Sequence, residues 1–597
     1  MRRLCVVVIG ALALAPIAHA AATTVTQPSF DSKGHLVQTP FVPRTTTHLT
    51  KQQALALVKR NPKVAAWLAR YPVKQGWQDE ETYDASTASW TVKIWLTKPG
   101  EIVEGTVDDA TGTVTAAWTG PQVAWKMARG YNGAFGGVKI NSPWVWGAFC
   151  AVFLLGLVDW RRPFSIRTLD LVMLLSPTAS LWYFNHGNVF TAVPLFYPVL
   201  LWVVLRGVWI GVTGRGSATR PIWPAWVLLA SAVFLAGFRI GLNVQASNVI
   251  DVGYSGIIGA ERIVHGQAPW GHFPVEDNLK PCGPADASGE IRDRIQTNGR
   301  CESANPQGDT YGPVAYESYI PGYAFFGWSG KWDSLPAVHF TSIAFDLLCM
   351  LGLWLVGRRF GGAYLGAVLA FAWVAYPFTQ YASSSNTNDS IMPALLIFGF
   401  WLASSPVGRG VFGALSGWTK FASLIVAPLW ATYPDRRPSG RFLAGFAVAT
   451  LAAFSVVLLE PSPLHELHVF WDRTVKWQIG RDSPWSLWDW KQYYARGIPD
   501  LHMLQRVLQA LLVAGALVVP FFPRRKSPLQ LAALTAALLA GFEMIVTYWL
   551  YTYIPWFFPF AAIAVLAPAA VVVARAPVAP RLDRDPEQLD PTRPAVV

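Results

Sequence analysis

The chain has 597 residues, of which 52% are hydrophobic and only 14% are charged; a soluble domain carries about a quarter charged, so an ordinary cytosolic enzyme is excluded. Its 29 Trp, 33 Phe and 19 Tyr exclude a disordered chain, whose sparse apolar surface cannot offset its ordering entropy. The net charge of +12 sits in short clusters between long apolar runs, which is the pattern of membrane topology signals and not of a nucleic-acid partner.

Residues 1–20 (MRRLCVVVIGALALAPIAHA) combine two arginines, a short apolar run and a small-x-small end, and read as a signal peptide. The segment that follows is then exported. In it, 48–70 has helical spacing with Thr50 as N-cap, whereas 87–97 and 101–118 alternate like strands, with Asp108-Asp109-Ala110-Thr111-Gly112 as a turn. These features predict a small α+β unit within 21–141, its Gly-rich stretch 130–137 serving as a linker. A helix followed by strands and a Val-Asp-x-x-Thr-Gly hairpin resembles PepSY-type extracytoplasmic domains. That resemblance implies a shape and no activity.

From residue 142 onward, apolar segments predict eleven crossings, near 142–158, 168–184, 189–205, 222–238, 336–356, 363–382, 390–404, 442–459, 502–522, 528–547 and 555–574. The basic connectors at Arg161/Arg162/Arg167, Arg206/Arg215/Arg220, Arg358/Arg359 and Arg524/Arg525/Lys526 place those turns in the cytoplasm. The long loops 239–335 and 460–501 are then exterior, and 575–597 is a cytoplasmic tail. One stretch breaks the count, because Arg409 and the cluster Arg436/Arg437/Arg441 bracket a single apolar run, 411–433, yet both belong inside. A hairpin of two half-helices broken at Gly417-Trp418-Thr419-Lys420 satisfies the charge rule. It puts Lys420 at a buried polar site, since irregular backbone at membrane depth needs protein or a water-filled cavity around it.

Among five cysteines, Cys282 and Cys301 share the long exterior loop, and a disulfide between them removes about 3 kcal/mol of unfolded-state entropy. That loop opens with Asn248-Val249-Ile250-Asp251-Val252-Gly253-Tyr254, where Asp251 reads equally as a helix cap or as an acid at the membrane surface. A short exterior loop carries Asn386-Thr387-Asn388-Asp389, and 473–485 carries Arg473, Lys476 and Arg481 among tryptophans. Exterior cations beside tryptophans suit a lipid phosphate headgroup, Arg481 being the preferred ligand and Arg473 its neighbour. Tyr311 and Tyr553 are candidate walls of a sugar site, with the interfacial aromatic belt as the alternative. Asp346 and Glu543 lie within spans. Asp346 is a candidate counter-ion for Lys420, which would make Lys420 structural. His465-Glu466-Leu467-His468 departs from zinc-motif spacing and reads as an exposed loop.

In this order of motifs, residues 222–574 resemble the GT-C superfamily of membrane glycosyltransferases, which use polyprenyl-phosphate-linked sugars on the exterior face. The match rests on Asp251 in the first long loop, the Asn388-Asp389 pair and the Gly417–Lys420 break. The resemblance implies a mainly α, polytopic transmembrane bundle of GT-C type, here with additional helices at 142–221 and the exported α+β module. It implies Asp251 as catalytic base and Asp389 and Lys420 in acceptor or lipid-phosphate binding; Tyr254, three residues beyond Asp251 in the same loop, is a further substrate-binding candidate. Expected partners are a polyprenyl-phosphate-linked sugar, membrane lipids and an envelope glycan, glycolipid or glycoprotein acceptor. No nucleotide site is required, and Asp251 and Asp389 could share a divalent metal. A transporter or flippase, and a non-catalytic scaffold, are the competing readings.

Overall fold

The computed structural model describes residues 29–30, 36–38, 47–72, 76–129, 133–271, 280–281, 293–295, 301–303, 308–330, 332, 334–480 and 483–568. The signal segment, the tail, Arg481 and Cys282 lie outside the described residues, as does the side chain of Cys301, so the expected disulfide does too. Contacts divide the chain into two compact units, 1–66 with 78–94 and 103–117, and 67–77 with 95–102 and 118–597.

In the first unit, Thr50 caps helix Lys51–Arg60 as its sequence predicts. Its hydroxyl accepts from the Gln53 amide at 3.3 Å, and the Gln53 side chain accepts from the Thr50 amide at 2.8 Å. The expected single helix over 48–70 is instead two, because Asn61-Pro62 interrupts it before Pro62–Leu68. Proline removes a backbone donor and starts the second helix well. Strands Ser89–Leu96, Gly100–Asp108 and Val114–Thr119 follow the alternation, and a fourth, Gln78–Asp84, joins them in consecutive order. That last strand (QDEETYD) is an edge with no buried residue, so it carries no apolar signal. Val58 packs against Gly105, and Val92, Ile94, Val103 and Val107 are fully buried. Asp109 accepts from the amides of His48 (2.8 Å) and Leu49 (3.0 Å) and from the Trp90 indole (2.8 Å). Burial opposes its charge, but these donors outweigh burial and hold the carboxyl well below its usual range.

The second unit is mainly helical. Among the described residues, five helical runs are long and apolar enough to cross a membrane, where eleven crossings were expected: Val189–Thr213, Ala225–Ala246, Pro336–Ala375, Gly440–Leu459 and Pro528–Ile545. The segment expected at 168–184 divides at Ser176-Pro177, that at 390–404 forms the shorter helix Ile391–Trp401, and the described part of 555–574 holds helix Phe558–Leu566, with 569–574 outside the described residues. The expected pair 336–356 and 363–382 divides as expected: the run Pro336–Ala375 leaves the helix at Gly362, giving two helices, the second followed by Pro377–Ser384. Trp226, Phe234 and Leu451 stand more than two-thirds exposed on the spans. Such surface is costly in water and at no disadvantage in lipid.

Charges are turned inward instead. Arg239 reaches Asp346 through Nε (3.1 Å) and Nη2 (2.5 Å), and the Trp373 indole donates to the same carboxylate at 2.9 Å. Asp346 therefore belongs to Arg239, which corrects its expected role as counter-ion to Lys420. The pair ties Ala225–Ala246 to Pro336–Ala375 by a bidentate contact that leaves neither charge uncompensated.

Candidate functional site

Helix Ala225–Ala246 ends at Ser247, and the extended residues after it run beside the segment that follows Pro377–Ser384. Asn248 N donates to Ser384 O (3.1 Å) and Ile250 N to Ser385 O (3.4 Å). Asn386, at φ 51°, is in a left-handed conformation that Asn adopts more readily than most residues. Its amide donates to Ser247 Oγ (2.8 Å) and Asn248 O (2.9 Å), and its carbonyl accepts from Asn243 at 3.0 Å. This weave sets Asp251, the first residue of helix Asp251–Val264, beside the turn Asn388–Ser390 that carries Asp389.

Thr387 caps that turn, accepting from Asp389 N (3.2 Å) and donating to Asp389 Oδ2 (2.7 Å). The other carboxylate oxygen accepts from the Trp556 indole (3.1 Å) and from Lys420 Nζ (2.6 Å). Lys420 stands at the break between Pro406–Gly417 and the 3₁₀ turn Phe421–Val426. The two limbs form the expected hairpin: Ser416 Oγ donates to Ser423 Oγ (2.9 Å) beside the break. At the far end Arg409 closes the base through Trp430 O (3.1 Å), Tyr433 O (2.6 Å) and Ala403 O. The Lys420 ammonium lies 5.0 Å from the Tyr311 ring, 5.0 Å from Tyr553 and 5.1 Å from Trp556. One carboxylate and three aromatic faces thus surround it.

Tyr311 reaches this point because Gly312 lets its loop touch the hairpin backbone; a Cβ there would lie 1.9 Å from Trp418 O. The same loop is pinned by Trp270, whose indole donates to Tyr311 O at 3.0 Å, and by Asp309, which accepts from Gly271 N at 2.7 Å and is paired with Arg473. Burial, then Tyr553, Asp251 and Asp389, push the Tyr311 hydroxyl well above its usual range. It therefore remains a neutral donor at any physiological pH.

Asp251, Asp389, Lys420, Tyr311 and Tyr553 line one cavity, together with Phe135, Thr310, Thr387, Tyr548 and Thr552. Other sequence candidates are placed elsewhere. Tyr254 is buried in a core cluster, stacked on Trp332 at 4.6 Å. Arg473 is committed to Asp309 as a brace behind Tyr311. Glu543 accepts from the Trp549 indole at 3.2 Å. His465–His468 is part of helix Pro463–Phe470 and not a loop, with His468 Nε2 3.3 Å from Asp472 and the buried Glu466 carboxyl pushed up to about 7 by burial and then by Glu460. Residues 133–137 are packed rather than a free linker: Asn248 donates to Ala134 O and Asn141 to Phe135 O, both at 2.7 Å. Sequence reasoning passed over Thr387 and Trp556. The Thr at the head of the Asn-Asp turn was a readable capping signal, whereas Trp556 was hidden among belt-like aromatics.

Chemically, the cavity sets one carboxylate, Asp251, near a second that is already bonded to an ammonium, within a wall of hydroxyls and rings. The donor set does not fit a metal shared by Asp251 and Asp389, because Lys420 Nζ occupies a cation's place at Asp389 Oδ1. Among the described residues no group of three His, Cys, Asp or Glu side chains stands together as ligands. No family model, curated protein or solved structure was found to match this chain.

Proposed function

We propose that the protein is an integral membrane glycosyltransferase of GT-C type. In this reading it moves a sugar from a polyprenyl-phosphate donor to an envelope glycan, glycolipid or glycoprotein on the extracytoplasmic face. The observation that carries the reading is the meeting of Asp251, Asp389, Lys420, Tyr311 and Tyr553, far apart in the chain, at one cavity. The acceptor hydroxyl attacks the anomeric carbon while its proton passes to Asp251, and the bond from that carbon to the phosphate oxygen breaks. The electron pair leaves with the lipid phosphate. An ammonium has three N–H groups; Lys420 gives one to Asp389 and turns another to the phosphate. The surrounding rings keep water away, so a fixed cation acts more strongly on the growing charge. Attack in a single displacement inverts the anomeric centre.

The test is transfer of label from polyprenyl-phosphate-linked hexoses and pentoses to envelope extract by the purified protein in lipid nanodiscs. Asp251→Asn is expected to insert normally and to lower the rate by about 10²–10⁴-fold. A variant with full transferase activity would falsify the base assignment. Flux of the labelled donor across liposomes without acceptor would favour a transporter.

A further inference from the structure

Resting on that reading, we infer that Phe135 is the specificity-determining platform on which the glycosyl ring of the donor stacks. Phe135 belongs to the segment ahead of helix Pro143–Leu157, outside residues 222–574, yet it lines the same cavity as Asp251 and Lys420. Its backbone is held on both sides. Asn248, three residues before the base, grips Ala134 O, and Asn141 grips Phe135 O (2.7 Å) and Gly137 O (2.9 Å). Asn141 is itself held by Asn185, which donates to its carbonyl at 2.7 Å.

The glycines that follow are needed for this approach. Gly137 has φ +87°, and a Cβ there would lie 2.0 Å from Ala246 O, the last residue of the helix leading to Asp251. A segment that can dock only without a side chain, bonded by two asparagines, is a fixed support and not a tether. On it stands a side chain whose flat face is wholly apolar, whereas the other rings lining the cavity, Tyr311, Tyr548 and Tyr553, each carry a hydroxyl, and Tyr311 and Tyr553 face Lys420. A sugar ring has the matching asymmetry: its hydroxyls suit the polar wall, and its C–H face suits an aromatic ring. Phe135 therefore reads the sugar, while Lys420 on the opposite chemical side of the problem reads the phosphate.

The experiment measures binding of two probes to the full chain in nanodiscs, a polyprenyl phosphate alone and the same lipid phosphate bearing a hexose or a pentose. Phe135→Leu retains apolar bulk without a ring face, and Phe135→Trp retains a face. The leucine variant is expected to weaken the sugar-bearing probe roughly tenfold and leave the bare lipid phosphate unchanged, with the tryptophan variant restoring the difference. Equal binding of both probes by the leucine variant and the wild type overturns the inference and leaves the transferase reading standing. Equal loss of both probes also overturns it, because that is what a purely structural side chain does. If the wild-type protein binds neither probe, the transferase reading falls, and this inference with it.

Discussion

The Lys420–Asp389 pair offers the sharpest test of the site's energetics, because its two halves are supported unequally. At 2.6 Å and an effective dielectric of about 20, the attraction is about 6 kcal/mol. Desolvating two ions costs several kcal/mol each, so the intact pair lies near break-even against an apolar replacement. Removing one partner is different. Lys420→Met leaves a buried carboxylate with only the Trp556 and Thr387 donors, at a cost of about 3–5 kcal/mol. Asp389→Asn leaves an ammonium still facing three rings at 5.0–5.1 Å, each worth about 0.5–2 kcal/mol, and the new amide can still accept from its neighbours. The expected order of loss is Lys420→Met first and Asp389→Asn well behind, with the double variant less harmed than Lys420→Met alone. Denaturant titration of detergent-solubilised protein, followed by tryptophan fluorescence, measures all four corners of this cycle. If Asp389→Asn is as damaging as Lys420→Met, or if the two losses simply add, the picture of a caged and mutually compensated pair is wrong.

Gly312→Ala is expected to lower both stability and transfer, since its Cβ would sit 1.9 Å from Trp418 O and must push the Tyr311 loop off the hairpin; unchanged activity and melting would show that the loop docks elsewhere. Burial raises the Glu317 carboxyl to about 7. Between about pH 4.5 and that value the folded chain holds a proton that the unfolded chain has released, so stability is full below about 4.5 and declines as pH rises to about 7. Glu317→Gln should remove this decline, and a melting-temperature difference between variant and wild type that stays constant from pH 4.5 to 8 would contradict it.

How far the sequence could be read depended on the range of the interaction. The Thr50 cap, the chain break inside 411–433 and the apolar character of residues 142–566 rest on neighbours within a turn or two, or on composition, and these were legible. The hairpin break was legible because charge clusters at both ends could not both be inside with one crossing between them. Strand Gln78–Asp84 was not, because an exposed edge made of acids and amides has no apolar period to follow. One crossing was also overread: proline at 177 interrupts a run, 168–184, that hydropathy alone treats as continuous.

What the sequence determined by itself was therefore the inventory: a lipid-compatible helical chain, a small α+β segment ahead of it, and a short roster of acids and bases too expensive to bury alone. Only tertiary structure decided the pairings, giving Asp346 to Arg239 and Asp389 to Lys420, sending Tyr254 into a core, and drawing Phe135 into the cavity wall. The physical reason is that composition and periodicity report whether a group must be compensated, whereas the identity of its partner is settled by backbone approaches, such as Gly312 on Trp418 and Gly137 on Ala246, between segments that share no local pattern.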